Sequence, residues 1–112
     1  MTTLLAIYRR PPGGPEAEAA FEAAYRDRHL PQVAATPGLR SLRVRRVRRQ
    51  LAGDEDFILA ATMEFDDWAA LRAGLGSEPM QRAGEVLAEI APGLVALVAL
   101  EEAPDLEPPT PA

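Results

Sequence analysis

Two segments near the ends of the chain, Thr2 to Tyr8 and Leu94 to Leu100, are too apolar to be surface strands. In the first, Leu4, Ala6 and Tyr8 would point to one side of a sheet while Leu5 and Ile7 point to the other. The second, LVALVAL, is apolar on both sides throughout. A strand of this kind needs cover on each face, so whatever fold the chain adopts must bury its sheet from two directions.

The cover available within the chain is limited. Arg9 to Pro15 breaks the first strand with three prolines and two glycines, and Pro15, Glu16 and Glu18 suit the first turn of a helix. That helix carries a narrow stripe of Ala17, Phe21, Ala24, Tyr25 and Arg28, with His29 at its flank. Pro31 cannot donate to the carbonyl of Asp27 and disfavours helical geometry at Leu30, so the helix is predicted to end or kink there. A short piece over Val33 to Ala35 follows before Pro37-Gly38. Leu39 to Leu51 reads as a long second strand, with a bulge at Arg45-Arg46 where Val47 falls out of phase. Its arginines place it at a sheet edge. Ala52-Gly53-Asp54-Glu55 is the predicted hairpin loop, and Phe57 to Phe65 the third strand. Asp66 or Asp67 caps a helix to about Leu75 that turns Trp68, Leu71 and Leu75 inward. Ser77-Glu78-Pro79 caps another, with Met80, Ala83, Leu87 and Ile90 in register, and Pro92-Gly93 ends it.

The order strand, helix, strand, strand, helix, strand predicts an α+β, ferredoxin-like βαββαβ fold: a four-stranded antiparallel sheet with both helices on one face. Residues 1–102 form this domain, and residues 103–112 a tail rich in proline and acids that cannot enter a core. Nothing in the chain remains to cover the second face, so a homodimer through the open sheet face is expected.

Composition narrows the function. With 112 residues and no cysteine, the chain is one domain without disulfides, thiolate chemistry or Cys-bound zinc or iron–sulfur clusters. A single histidine excludes a His-rich metal site in one chain, and no metal is predicted. No signal-peptide pattern is present and the apolar runs are too short to cross a bilayer, which gives no membrane partner and the cytoplasm as the expected location. The net charge of −5 argues against polyanion binding, although half of the twelve basic residues, all arginine, lie between Arg40 and Arg49. That run lacks interleaved aromatics and any nucleic-acid motif, so no nucleic-acid partner is expected. Gly13-Gly14 is followed by Pro15, unlike a dinucleotide or Walker loop. No cofactor is predicted; haem stays open, because His29 can supply an axial ligand.

Several of these residues stand in a familiar arrangement. Tyr8-Arg9-Arg10-Pro11 closes the first strand, Phe21…Ala24-Tyr25…His29-Leu30-Pro31 the first helix, and Pro37-Gly38-Leu39-Arg40 enters the second strand. With Phe65-Asp66-Asp67…Ala70-Leu71 and Ser77-Glu78-Pro79-Met80, the chain resembles the EthD family of dimeric α/β-barrel proteins over all but its tail. The resemblance implies two sheets face to face across a dimer, and a pocket between sheet and helices with His29 near its mouth. The family commonly has two aromatics where this chain has Ala24-Tyr25, and the missing one is expected to enlarge the pocket. Relatives on this barrel include monooxygenases, cyclases, lactone isomerases and haem-degrading proteins.

The candidate chemistry centres on His29 and Tyr25 as catalytic residues. An imidazole titrates near neutrality, a helix C-terminus would favour its protonated form, and Tyr25 one turn earlier can orient a substrate. The competing reading has His29 capping carbonyls freed by Pro31 while Tyr25 packs in the core. Tyr8, Arg10, Phe21 and Trp68 are the candidate substrate-binding residues: an arginine can clamp a carboxylate or enolate, and aromatics can line an apolar cavity with Met63 and Phe65. The expected function is binding of a small apolar or carbonyl-containing molecule, with oxidoreductase, monooxygenase or isomerase chemistry at His29. The alternative is a non-catalytic binding or accessory dimer.

Overall fold

A computed structural model describes residues 1–111. Strand β1 (Thr2–Arg9) is followed by α1 (Gly14–Ala24), a π-helical segment (Tyr25–His29) and α2 (Leu30–Ala34). Then come β2 (Ser41–Arg46), β3 (Phe57–Phe65), α3 (Trp68–Leu75), α4 (Glu78–Ile90) and β4 (Val95–Leu100). The four strands form one antiparallel sheet in the order β2-β3-β1-β4, so the fold is α+β and ferredoxin-like, as the element order predicts.

Register sorts the side chains between faces. Leu4 pairs with Met63, Ala6 with Ala61 and Tyr8 with Leu59, and these residues are buried under the helices with Phe21, Tyr25, Val33, Leu71, Ala83 and Leu87. The alternate set, Leu5, Ile7, Ala60, Ala96, Val98 and Leu100, shares the other face, joined by Arg43 and Arg45 from β2. No helix covers that face, and Val98 and Leu100 are each 46% exposed. Leu59, Val95 and Leu97 fall on the helix side, which leaves the open face narrower than the sequence alone suggests.

The helix does not stop before Pro31. The N–H of Leu30 bonds to the carbonyl of Tyr25, one residue further back than an α-helix allows, and the chain stays helical to Ala34. The π segment absorbs the missing donor of Pro31 by widening one turn instead of breaking the rod. The second strand is also shorter than its arginine pattern implies. It runs only from Ser41 to Arg46, as an edge strand without a bulge at Arg45-Arg46. The last ladder contact is the Val47 N–H to the Ile58 carbonyl, 2.8 Å. Beyond it the Gln50 amide donates to the carbonyls of Ala52 and Gly53 and accepts from the Phe57 N–H, so a looped-out segment replaces the tight hairpin. The register shift in the sheet lies elsewhere, between Tyr8 and Arg9 against β3.

Caps fix the other two helices. The Asp67 carboxylate accepts from the Ala70 N–H at 2.8 Å, and the Ser77 hydroxyl from the Met80 N–H at 3.4 Å. Close approach of α3 to the sheet requires Gly74, where a Cβ would lie 2.8 Å from the Phe65 ring and 3.1 Å from Thr36. After β4 the chain is exposed, with one short 3₁₀ turn at Pro104–Leu106.

Candidate functional site

Helical spacing and the π segment together assemble an aromatic column. Phe21, Tyr25 and His29 recur every four residues, and their rings stack along the buried side of the helix. Phe21 and Tyr25 centroids are 5.7 Å apart, and Tyr25 and His29 are 4.9 Å apart with planes 24° from parallel. Tyr8 from β1 meets this column edge-on, 5.1 Å from Tyr25 at 76°. The sheet therefore presents one phenol to a column that ends in the imidazole.

His29 is buried, 6% exposed, and its Nδ1 lies 3.0 Å from the carbonyl oxygen of Ala83 on α4. A carbonyl only accepts, so Nδ1 carries the proton and donates, and Nε2 is left as the basic nitrogen of the neutral ring. Burial pushes the imidazole pKa below its ordinary 6.5, against a smaller opposing effect of the Ala83 carbonyl. The expectation of a helix terminus favouring the protonated ring is overturned. The helix does not end at His29, and loss of water outweighs the one carbonyl.

The two phenols are held neutral. Burial raises the pKa of Tyr8, with a further contribution from Tyr25, and burial raises that of Tyr25 as well. The Tyr25 hydroxyl is fully buried and has no hydrogen-bond partner among the described residues.

Beside His29 lies a cavity of about 220 Å³. Tyr8, His29 and Val33 meet Leu4, Ala6 and Met63 of the sheet and Ala83 and Leu87 of α4 in its buried part. Leu75, Gly84 and Leu97 stand at its exposed rim. Its walls are almost wholly apolar, so the imidazole and the Tyr8 phenol are the polar side chains within it. It lies below the range of about 300–1,000 Å³ typical of pockets for drug-sized ligands.

Of the six residues singled out in the sequence, Tyr8 and His29 line this cavity. Tyr25 stacks behind His29 and itself lines a smaller recess with Glu22, Val44, Arg46 and Leu59. Phe21 and Ala24 line a separate surface groove of about 430 Å³ with Pro11, Pro12, Ile90 and Leu94. The aromatic missing at Ala24 therefore opens that outer groove and does not enlarge the cavity at His29. Arg10 is on the surface, paired with Glu18 at 2.6 Å and Asp56 at 2.9 Å, and does not reach the cavity. Trp68 is not on the inner face of its helix. As the first residue after the Asp67 cap it hangs over the helix end, 52% exposed, beside Thr2, Ala99 and Leu100. Phe65 is buried against Gly74 and takes no part in the cavity, whereas Met63 does.

Sequence reading missed Leu4, Ala6, Met80, Ala83, Gly84 and Leu87 as cavity residues. All but Gly84 were visible as part of a period-two or helical apolar pattern, but that pattern cannot distinguish a filled core from a hollow one. Among the described residues no group of three or more His, Cys, Asp or Glu side chains could hold a metal ion. Among the described residues no helix is long and apolar enough to cross a membrane.

No protein-family model matches the chain, and no curated protein matches it. Solved structures do. An ethyl tert-butyl ether D (EthD) family protein from Bacillus halodurans C-125 is 28% identical, with a TM-score of 0.81 over 92% of this chain and 99% of its own. A dimeric ferredoxin-like protein of unknown function from Bacteroides fragilis is 17% identical, with a TM-score of 0.68 over 90% and 95%. SnoaB from Streptomyces nogalater, a cofactor-independent oxygenase, is 19% identical, with a TM-score of 0.64 over 90% and 91%. The last two share the fold alone. The chain is thus similar in sequence and in its ferredoxin-like fold to an EthD family protein, as the resemblance read from its residues implies.

Proposed function

We propose that the chain binds a small, largely apolar molecule bearing one hydroxyl or carbonyl group in the cavity beside His29. Neutral His29 then acts as a base through Nε2. The observation that carries this reading is the Nδ1 contact to the Ala83 carbonyl, which fixes the tautomer of an imidazole that lines an apolar cavity. The basic nitrogen would take the proton of a phenol, or of a C–H beside a carbonyl, giving imidazolium and a delocalised anion. Apolar walls sharpen such a proton transfer by excluding water. The anion then either regains the proton at another atom, which is an isomerisation, or passes one electron to dioxygen. In the second case it combines with the superoxide so formed to make a C–O bond, the peroxide taking the proton back from the imidazolium, which is an oxygenation. Neither route requires a bound cofactor, and similarity to a cofactor-independent oxygenase supports the second.

The same reading includes a homodimer. Several similar structures are described as dimeric, and the uncovered apolar face of Leu5, Ile7, Val98 and Leu100 supports pairing of two sheets. The test separates binding from turnover. Small phenols and β-dicarbonyls are titrated against the protein and the His29→Gln variant by calorimetry, with the resonances of the only imidazole followed in the unsubstituted chain. Oxygen uptake and isomer formation are measured in parallel. The expected result is that His29→Gln retains binding and loses turnover. Binding without turnover in the unsubstituted protein, unchanged in the variant, would instead make it a carrier.

A further inference from the structure

Gly84 occupies the middle of α4, where glycine weakens a helix relative to alanine. The usual structural reasons for such a residue are missing. Its backbone is not in the left-handed region, and a Cβ built there would meet nothing within 4 Å. Gly74 in α3 makes the contrast, since a Cβ there would strike Phe65. Gly84 nevertheless lines the cavity, on the exposed rim with Leu75 and Leu97, one residue after the Ala83 carbonyl that holds His29. A side chain at this position has open space to enter beside the rim of the cavity.

We infer that Gly84 is a specificity-determining residue that keeps the mouth of the His29 cavity open and sets the width of ligand admitted. The inference rests on the ligand-binding reading above. The ligand class it implies is a flat ring compound with a hydroxyl group: the ring passes between α4 and the Leu97 edge of the sheet, and the hydroxyl reaches Nε2 of His29. Leu75 and Leu97 grip the ring from two sides, whereas Gly84 offers no contact and leaves the third side free.

Phenol and 1-naphthol are the probes, one ring against two fused rings, with the imidazole resonances reporting where they bind. In Gly84→Ala the thermal midpoint should rise by a few degrees, because the helix gains and nothing clashes. In Gly84→Leu the fold and midpoint should be retained while 1-naphthol binds at least tenfold more weakly, with phenol affected less. If Gly84→Leu binds 1-naphthol as tightly as the unsubstituted protein, with the same imidazole shifts, the role of Gly84 is overturned and the site stands. If Gly84→Ala lowers the midpoint, the glycine has a structural purpose and the inference also fails. If neither probe moves the imidazole resonances of the unsubstituted protein, the ligand-binding reading falls first and this inference with it.

Discussion

Nδ1 of His29 donates to the carbonyl oxygen of Ala83 across 3.0 Å, joining the π segment of the first helical rod to the middle of α4. The bond decides which nitrogen is basic. Nitrogen NMR of the single imidazole at neutral pH should show a protonated Nδ1 and an unprotonated Nε2, with a titration midpoint below 6.5. An Nε2-protonated tautomer would remove the base from the proposed reaction.

The same depression has a consequence for stability. Its folded pKa lies below the unfolded one, so protonation favours the unfolded chain. Stability from this group is complete above pH 6.5 and is lost as pH falls through the folded midpoint, by about 1.4 kcal/mol for each pH unit separating the two midpoints. Urea midpoints measured from pH 7.5 down to 5 should fall in the unsubstituted protein, and this part of the slope should vanish in His29→Gln. The ion-paired carboxylates Asp27, Glu55, Asp66 and Glu89 have lowered pKa values and act only at more acid pH.

Gly74→Ala forces a methyl into the Phe65 ring and Thr36, both held by the sheet and the α2 end. Overpacking of this kind costs about 1–3 kcal/mol. Chemical denaturation should show that loss. An unchanged midpoint would mean that α3 can lift off the sheet freely.

Asp67→Ala removes the acceptor of the Ala70 N–H and should cost about 1 kcal/mol. Because Trp68 sits on this first turn, its emission should also change, giving a local readout of fraying beside the global one.

On the uncovered sheet face, Val98→Glu places a charge among Leu5, Val98 and Leu100. Light scattering should report a dimer for the unsubstituted chain and a monomer for the variant. Arg10→Ala, which removes only the surface pairing with Glu18 and Asp56, should leave both mass and probe binding unchanged.

The order of elements, the open face and both capped helices were legible because each rests on local chemistry: alternation in β1 and β3, the Asp67 and Ser77 side chains, and the proline and glycine breaks. What escaped depended on partners far along the chain. Pro31 reads as an end or a kink, and the rod instead stays helical through it by widening one turn, with Tyr25 and Val33 packed in the core. The arginine run from Arg40 to Arg49 reads as one long strand, but β3 offers ladder partners only as far as Val47. Trp68 reads as an inner residue by its spacing to Leu71, but the cap places it at the helix end, half-exposed at the margin of the sheet beside Thr2, Ala99 and Leu100. The candidate histidine was legible as the only one. Its protonation was not, because the Ala83 carbonyl lies 54 residues away.

The widened turn at Tyr25–His29 also sets how the site tolerates a change in chain length. Arg26, Asp27 and Arg28 are exposed, so substitutions there disturb little. Deleting one of them would place Leu30 four residues after Tyr25, turning the bond between them into an ordinary α-helical one and leaving Val33 in the core. The change would fall on the spacing of Tyr25 and His29 alone, which are now four residues apart and stacked. Among homologues, a one-residue gap in this turn would mark proteins that keep the fold and have re-spaced the aromatic column.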